Sequence, residues 1–192
     1  MEQIVAQKKS LRNTLRKQRK AIEEAILLQE SEDLCRNLLA LPELAQARTV
    51  FCYVSCHGEV ETHRLIQTLL AQGKRVAVPR CRENGQMDCV VIDSLDELYP
   101  GKMGIPEPRQ ESSMIHCSEV DFAIVPAVAC GEDGSRLGQG GGYYDRFLQQ
   151  TNCPFAAVCL EAFVFPELPC EAHDQTMKIV VTQRRVLRFE EV

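Results

Sequence analysis

Thr49-Val-Phe-Cys-Tyr-Val-Ser55 and Arg75-Val-Ala-Val-Pro79 frame the stretch of this chain that decides its fold. Both are short runs rich in β-branched or apolar residues. Between them Leu65, Ile66, Leu69 and Leu70 recur at helical spacing until Gly73 closes the pattern. A strand, a helix and a strand within about thirty residues predict a right-handed parallel crossover. Downstream, residues 121–128 are almost wholly apolar, as a central parallel strand buried on both faces must be. Residues 87–92, 155–160 and 179–182 read as further strands, and about 143–150 as a helix. Upstream, Ile4, Leu11, Leu15, Ile22 and Ile26 form one stripe of a long amphipathic helix over residues 2–28, and a second helix fits residues 31–41 before Pro42. Residues 99–109, with three prolines and two glycines, read as loop. The whole predicts an α/β fold: three layers, a mostly parallel sheet flanked by helices, Rossmann-like, as a single domain over residues 1–192.

Composition narrows the function classes. The chain has 192 residues, 45% hydrophobic and 26% charged, which suits one globular domain and excludes a disordered or fibrous protein. Net charge is −5, yet residues 1–20 carry seven basic side chains and one acidic one, so removing this +6 segment leaves the remainder at −11. An acidic body with one cationic helix argues against nucleic-acid binding and leaves that helix in need of an anionic partner. The longest apolar run, residues 122–130, is interrupted by Pro126 and is too short for a membrane span. Ten cysteines are scattered without a Cys-x-x-Cys pair, and residues 1–20 lack an apolar signal segment. A reducing cytoplasm is the expected address, with most cysteines serving as small buried hydrophobes.

Four groups of residues could carry chemistry. The first is Arg136-Leu-Gly-Gln-Gly-Gly-Gly-Tyr-Tyr-Asp145, between the apolar strand and a helix. Gly138, Gly140, Gly141 and Gly142 remove side chains that would block an anion from backbone N–H groups. The spacing is neither a Walker A loop nor a dinucleotide fingerprint, and a flexible surface turn is the alternative. The second is the row Lys8, Arg12 and Arg16 on one side of the first helix, with Lys9, Lys17, Arg19 and Lys20 read as solvated. The third is Asp145 with Asp174, oxygen donors that would suit Mg²⁺ beside phosphates if the fold unites them, and otherwise a cap and a turn residue, with His173 alongside. The fourth is Glu59, in the loop after the first strand, which has no capping duty there.

In this order the pieces resemble the 5-formyltetrahydrofolate cyclo-ligase family, also called methenyltetrahydrofolate synthetases. The likeness runs from about Lys8 to Thr182 and rests on the glycine stretch, on Lys8-x-x-Leu-Arg12, Gly58-Glu-Val-Glu-Thr62, Gly104-Ile-Pro-Glu-Pro108 and His173-Asp174. It implies an ATP- and Mg²⁺-dependent ligase that turns 5-formyltetrahydrofolate into 5,10-methenyltetrahydrofolate. Carried onto this chain, Lys8, Arg12, Arg136, Gly138, Gln139, Gly140, Gly141, Gly142, Tyr143 and Tyr144 would hold ATP, and Asp145 and Asp174 the metal. Val54, Glu59, Met103 and Tyr143 would contact the folate, with Arg136 and Tyr143 at the reacting centre. This sequence departs at Met103, where some relatives have an aromatic residue, and at Gln139 and Gly141, where some have basic ones. A monomer without nucleic-acid or membrane partners is expected. The rival readings are a sugar-phosphate isomerase or transferase on a similar scaffold, and a relative that binds folate or nucleotide without turnover.

Overall fold

The computed structural model describes residues 2–189 apart from His57, Lys102, Met103, Gln110, Ala172 and His173. In chain order its elements are α1 (Glu2–Lys20), α2 (Glu24–Leu39), α3 (Pro42–Gln46), β1 (Thr49–Cys52), α4 (His63–Ala71), β2 (Arg75–Cys81) and β3 (Met87–Ile92). There follow β4 (Leu98–Pro100), β5 (Pro106–Pro108), β6 (Met114–Ile115), β7 (Phe122–Pro126), β8 (Ala129–Gly131) and β9 (Arg136–Leu137). The chain ends with α5 (Tyr143–Leu148), β10 (Phe155–Val158), β11 (Val164–Phe165), β12 (Ile179–Val181) and β13 (Val186–Arg188).

Eight strands form the main sheet, in the order β13-β12-β10-β7-β1-β2-β3-β6. The five central strands run parallel, and β13, β3 and β6 add antiparallel edges. Every residue of β1 and β10 is buried, as are Phe122 to Val125 of β7, so both faces of the sheet centre are covered. The expected three-layer, mostly parallel architecture is therefore the observed one. Leu65, Ile66 and Leu69 of α4 are fully buried, and Gly73 ends the helix at φ +74°, where Lys74 N–H returns to Leu69 C=O. Strand β2 pairs in parallel with β1 from Thr49↔Arg75 onward, as the crossover requires.

Two expectations need correction. Residues 2–28 are not one helix. Ala21 and Ile22 N–H bond three residues back, Glu23 is extended at ψ 136°, and α2 then runs from Glu24, well before the expected start at Ser31. The reason lies in the two buried stripes. Helix α1 buries Lys8, Leu15 and Arg19, α2 buries Ser31, Leu34 and Leu38, and Ile26, assigned to the first stripe, is half exposed. A straight helix cannot send both sets inward, so the chain bends. Residues 99–109, expected as loop, hold the ribbon β4–β5 with Leu98↔Pro108 and Pro100↔Pro106 in register. Proline is tolerated because a two-stranded ribbon is all edge.

Parallel strands place their carboxyl ends on one side of a sheet. From there β1 leads into the Glu59 loop, β2 into Arg82 and Glu83, and β7 through β8 and β9 into the glycine stretch. Ligands collect at that side of open α/β sheets.

Candidate active site

Phe147 fixes the glycine segment from behind, its ring stacked on Phe51 of β1 at 4.3 Å between centroids. Helix α5 has six residues, shorter than expected, so its dipole adds little and an anion here would rely on loop amides and neighbouring cations. Two glycines need their left-handed backbone: Gly140 at φ +100° and Gly142 at φ +67°, the latter capping α5. At Gly138 the constraint is space, because a Cβ there would stand 2.9 Å from Arg136 Nη1.

Arginines surround this segment. Arg12 Nε donates to Gly138 C=O at 2.8 Å, Arg16 Nη2 to Gln139 C=O at 3.1 Å, and Arg146 Nη1 to Gly141 C=O at 3.0 Å. Arg136 lies beneath, its side chain 2% exposed, donating to Asp145 Oδ1 at 2.6 Å and to Pro126 C=O at 3.2 Å. Its Nε–H meets no protein acceptor, the one such buried side-chain polar atom among the described residues. A buried unpaired donor costs about 1–3 kcal/mol, a cost that a ligand oxygen brought under the loop would relieve. Tyr144 closes the site on one side, its ring 6.0 Å from the Arg136 guanidinium carbon.

Lys8 is 4% exposed and donates to Glu171 Oε2 at 2.8 Å and to Asp174 Oδ2, which also accepts Glu171 N–H. Burial disfavours its ammonium, but the bonds and charges of Asp174 and Glu171 outweigh that and raise its pKa above the ordinary lysine value. Arg12 goes the other way: burial and the nearby Arg16 lower it, against Asp174, Glu171 and Asp145. The fields of Asp145 and Asp174 thus meet at Arg12. Among the described residues no group of three or more His, Cys, Asp or Glu is arranged to hold a metal by itself. Hard carboxylate oxygens beside a glycine segment open to phosphates would fit Mg²⁺, which takes one or two carboxylates and leaves the rest of its shell to phosphate and water.

On the other side of the loop, Glu59 takes Cys56 N–H on Oε2 at 3.2 Å and Gln139 Nε2–H on Oε1 at 3.3 Å. It borders a hollow of about 490 Å³ that Arg19, Ile22, Leu27 and Ser55 also line. Tyr143 O–H donates to Arg82 C=O at 3.4 Å, at the edge of a second hollow of about 650 Å³ lined by Arg80, Arg82, Glu107 and Met114. Val54, expected against the folate, is 3% exposed and belongs to the hydrophobic core. Met103 and His173 lie outside the described residues.

Sequence reasoning missed three participants. Arg19 is not solvated: it is 9% exposed and donates to Gly58 C=O at 3.1 Å, while Lys9, Lys17 and Lys20 are exposed as expected. Its signal was present, since 12, 16 and 19 share a helical face. Arg146, one turn into α5, and Glu171, the second partner of Lys8, carried no such signal.

Comparisons with known proteins point to one family. Residues 4–183 match the model of the 5-formyltetrahydrofolate cyclo-ligase family. The probable 5-formyltetrahydrofolate cyclo-ligase of Schizosaccharomyces pombe is 31% identical, over 94% of this chain and 97% of its own. That of Escherichia coli K12 is 30% identical, over 90% and 98%. Among solved structures, the 5,10-methenyltetrahydrofolate synthetase of Aquifex aeolicus superposes with a TM-score of 0.86 at 32% identity, over 96% of this chain and 94% of its own. With nearly its whole length matched by the family model, by curated relatives and by a solved fold, the chain belongs to the 5-formyltetrahydrofolate cyclo-ligase family.

Proposed function

We propose that this protein converts 5-formyltetrahydrofolate and ATP to 5,10-methenyltetrahydrofolate, ADP and phosphate, with Mg²⁺. The carrying observation is the unpartnered Nε–H of buried Arg136 under a glycine segment surrounded by Arg12, Arg16 and Arg146. So many donors and so little bulk suit a triphosphate, and Glu59 on the adjoining loop suits the polar edge of a pterin.

The N5-formyl oxygen is amide-like and a poor leaving group. In the proposed path it attacks the γ-phosphoryl group, ADP departs, N10 adds to the activated formyl carbon and loses its proton, and the oxygen leaves as inorganic phosphate. No nucleophilic side chain is needed; positioning and charge stabilisation carry the reaction, as in other phosphoryl transfers. Lys8, Arg12 and Arg136 would neutralise phosphate oxygens, and loop amides would orient them. Lys8 must share its ammonium with Glu171 and Asp174, so nucleotide entry reorganises that cluster. Asp145 and Asp174 would hold Mg²⁺, which would neutralise charge on the β- and γ-phosphates. Tyr143, between the loop and the Arg82 segment, would separate the two ligands.

The test follows the methenyl chromophore from 5-formyltetrahydrofolate with and without Mg-ATP. Formation only with both, at one ADP per product, is expected. Turnover without nucleotide, or folate binding without turnover, would replace this reading with an isomerase-like or a binding-only one.

A further inference from the structure

Arg16 can only donate and Glu59 can only accept. The residue between them must do both, and Gln139 does: its Oε1 accepts from Arg16 Nη2 at 2.8 Å and Nε at 3.1 Å, while its Nε2 donates to Glu59 Oε1 at 3.3 Å. Each bond has one charged partner, which strengthens it relative to a neutral pair. The same face of α1 grips both flanking loops by their backbones, through Arg12 at Gly138 C=O and Arg19 at Gly58 C=O. The amide of Gln139 therefore links the nucleotide loop to the carboxylate of the neighbouring loop, across a junction that α1 straps from above. Glu59 is held at both oxygens, by Gln139 on one and by Cys56 N–H on the other, so its orientation depends on where Gln139 stands.

We propose that Gln139 is a positioning residue that couples the two half-sites: nucleotide held by the glycine segment fixes Gln139, Gln139 fixes Glu59, and the folate binds more tightly in consequence. This rests on the functional reading above, in which the glycine segment takes ATP and Glu59 meets the pterin. A cationic side chain at this position could reach Glu59 but would repel Arg16, and a carboxylate could accept from Arg16 but would repel Glu59. Glutamine satisfies both neighbours. By linkage, the folate must tighten the nucleotide by the same factor.

The experiment measures the dissociation constant of 5-formyltetrahydrofolate with and without a saturating β,γ-imido analogue of ATP and magnesium. The wild type should bind the folate about fivefold tighter or more when the analogue is present. In Gln139→Met, which keeps the length and loses the side-chain bonds to Arg16 and Glu59, that factor should fall to near one whatever the change in affinity for the analogue alone. Gln139→Glu should weaken the folate further than Gln139→Met, by setting a carboxylate against Glu59. A purely structural role would lower both affinities together and leave their ratio intact. Wild-type coupling surviving in Gln139→Met, or a wild type that binds both ligands without coupling, overturns the proposal and leaves the functional reading standing. A wild type that binds neither ligand overturns both.

Discussion

Gly140 holds φ +100°, where a side chain is strained whatever the space, and a Cβ there would also stand 3.4 Å from the Arg12 guanidinium carbon. Gly140→Val should therefore move the loop and Arg12 together. Strain of this kind costs about 1–3 kcal/mol, and in an exposed loop it should appear chiefly as nucleotide affinity lowered tenfold or more. Titration of the nucleotide checks this, and an unchanged dissociation constant would show that the segment is only a surface turn. Arg136 is the opposite kind of residue. Arg136→Ala leaves Asp145 without its partner and Pro126 C=O without its donor. Removing one member of a buried ion pair costs roughly 3 kcal/mol or more, here at the lower end because Asp145 keeps 26% of its side-chain exposure. Urea unfolding should show that loss along with failure to bind nucleotide, and a change under about 1 kcal/mol would show the pair to be dispensable. Both residues stood out in the sequence because four glycines crowd five positions just after Arg136. Arg19 was passed over although it shares the helical face of Arg12 and Arg16, because spacing marks a face and only the fold shows whether that face meets water or a carbonyl.

Helix α1 docks in an unusual way, since of its buried residues Lys8, Leu15 and Arg19 only one is apolar. Burying Leu15 contributes about 1.5–3 kcal/mol and half-buried Leu11 packs against the same core, while charged hydrogen bonds to the glycine segment, Gly58 and the Glu171–Asp174 pair supply much of the rest. Apolar periodicity alone therefore misjudged where α1 stops: the stripe continues on paper through Ile22 and Ile26, whereas its docking ends at Arg19. Alanine at Lys8, Arg12 and Arg19 should loosen α1, and at Lys8 and Arg12 weaken ATP roughly 10- to 150-fold, the size of one or more lost charge-assisted bonds. Lys17→Ala and Lys20→Ala should each cost under ~1 kcal/mol. Equal, small effects at all five positions would leave α1 a charged lid and no more. Amide exchange should report the same design: raising salt from about 0.1 to 1 M shortens the Debye length to about 3 Å, so α1 amides should exchange faster while those of α4, held by Leu65, Ile66 and Leu69, stay protected.

At the scale of the whole molecule, the sheet centre was legible because its signal is local and redundant. Residues 121–128 are apolar on both faces, and the crossover from residue 49 to 79 carries its strands, helix and stop together. Its edges were not. The ribbon at 98–108 is built from prolines, and β13 contributes three residues with no fully buried position. Such an edge is held from outside its own sequence, by Arg188 on Glu43 of α3 and by Arg185 on Glu161 and Glu132. These contacts leave a trace in acid. The Arg188 hydrogen bond holds Glu43 below the ordinary carboxylate pKa; burial pushes Glu161 up, but Thr182 and Arg185 outweigh it and the net shift is also downward. A carboxyl whose folded pKa is depressed adds stability above its unfolded pKa, about 4.3, and loses it as pH falls through the folded value. Because Glu43 and Glu161 are only partly buried and their arginine partners are exposed to solvent, each should contribute under ~1 kcal/mol at neutral pH. The combined variant Glu43→Gln with Glu161→Gln should therefore be slightly less stable than the parent near pH 7, and the gap should close as pH drops below about 4, where the parent's own carboxylates are protonated. Urea unfolding of both proteins across that range makes the measurement, and a gap that stays constant into acid would mean that β13 is anchored by its ladder to β12 and not by these charges.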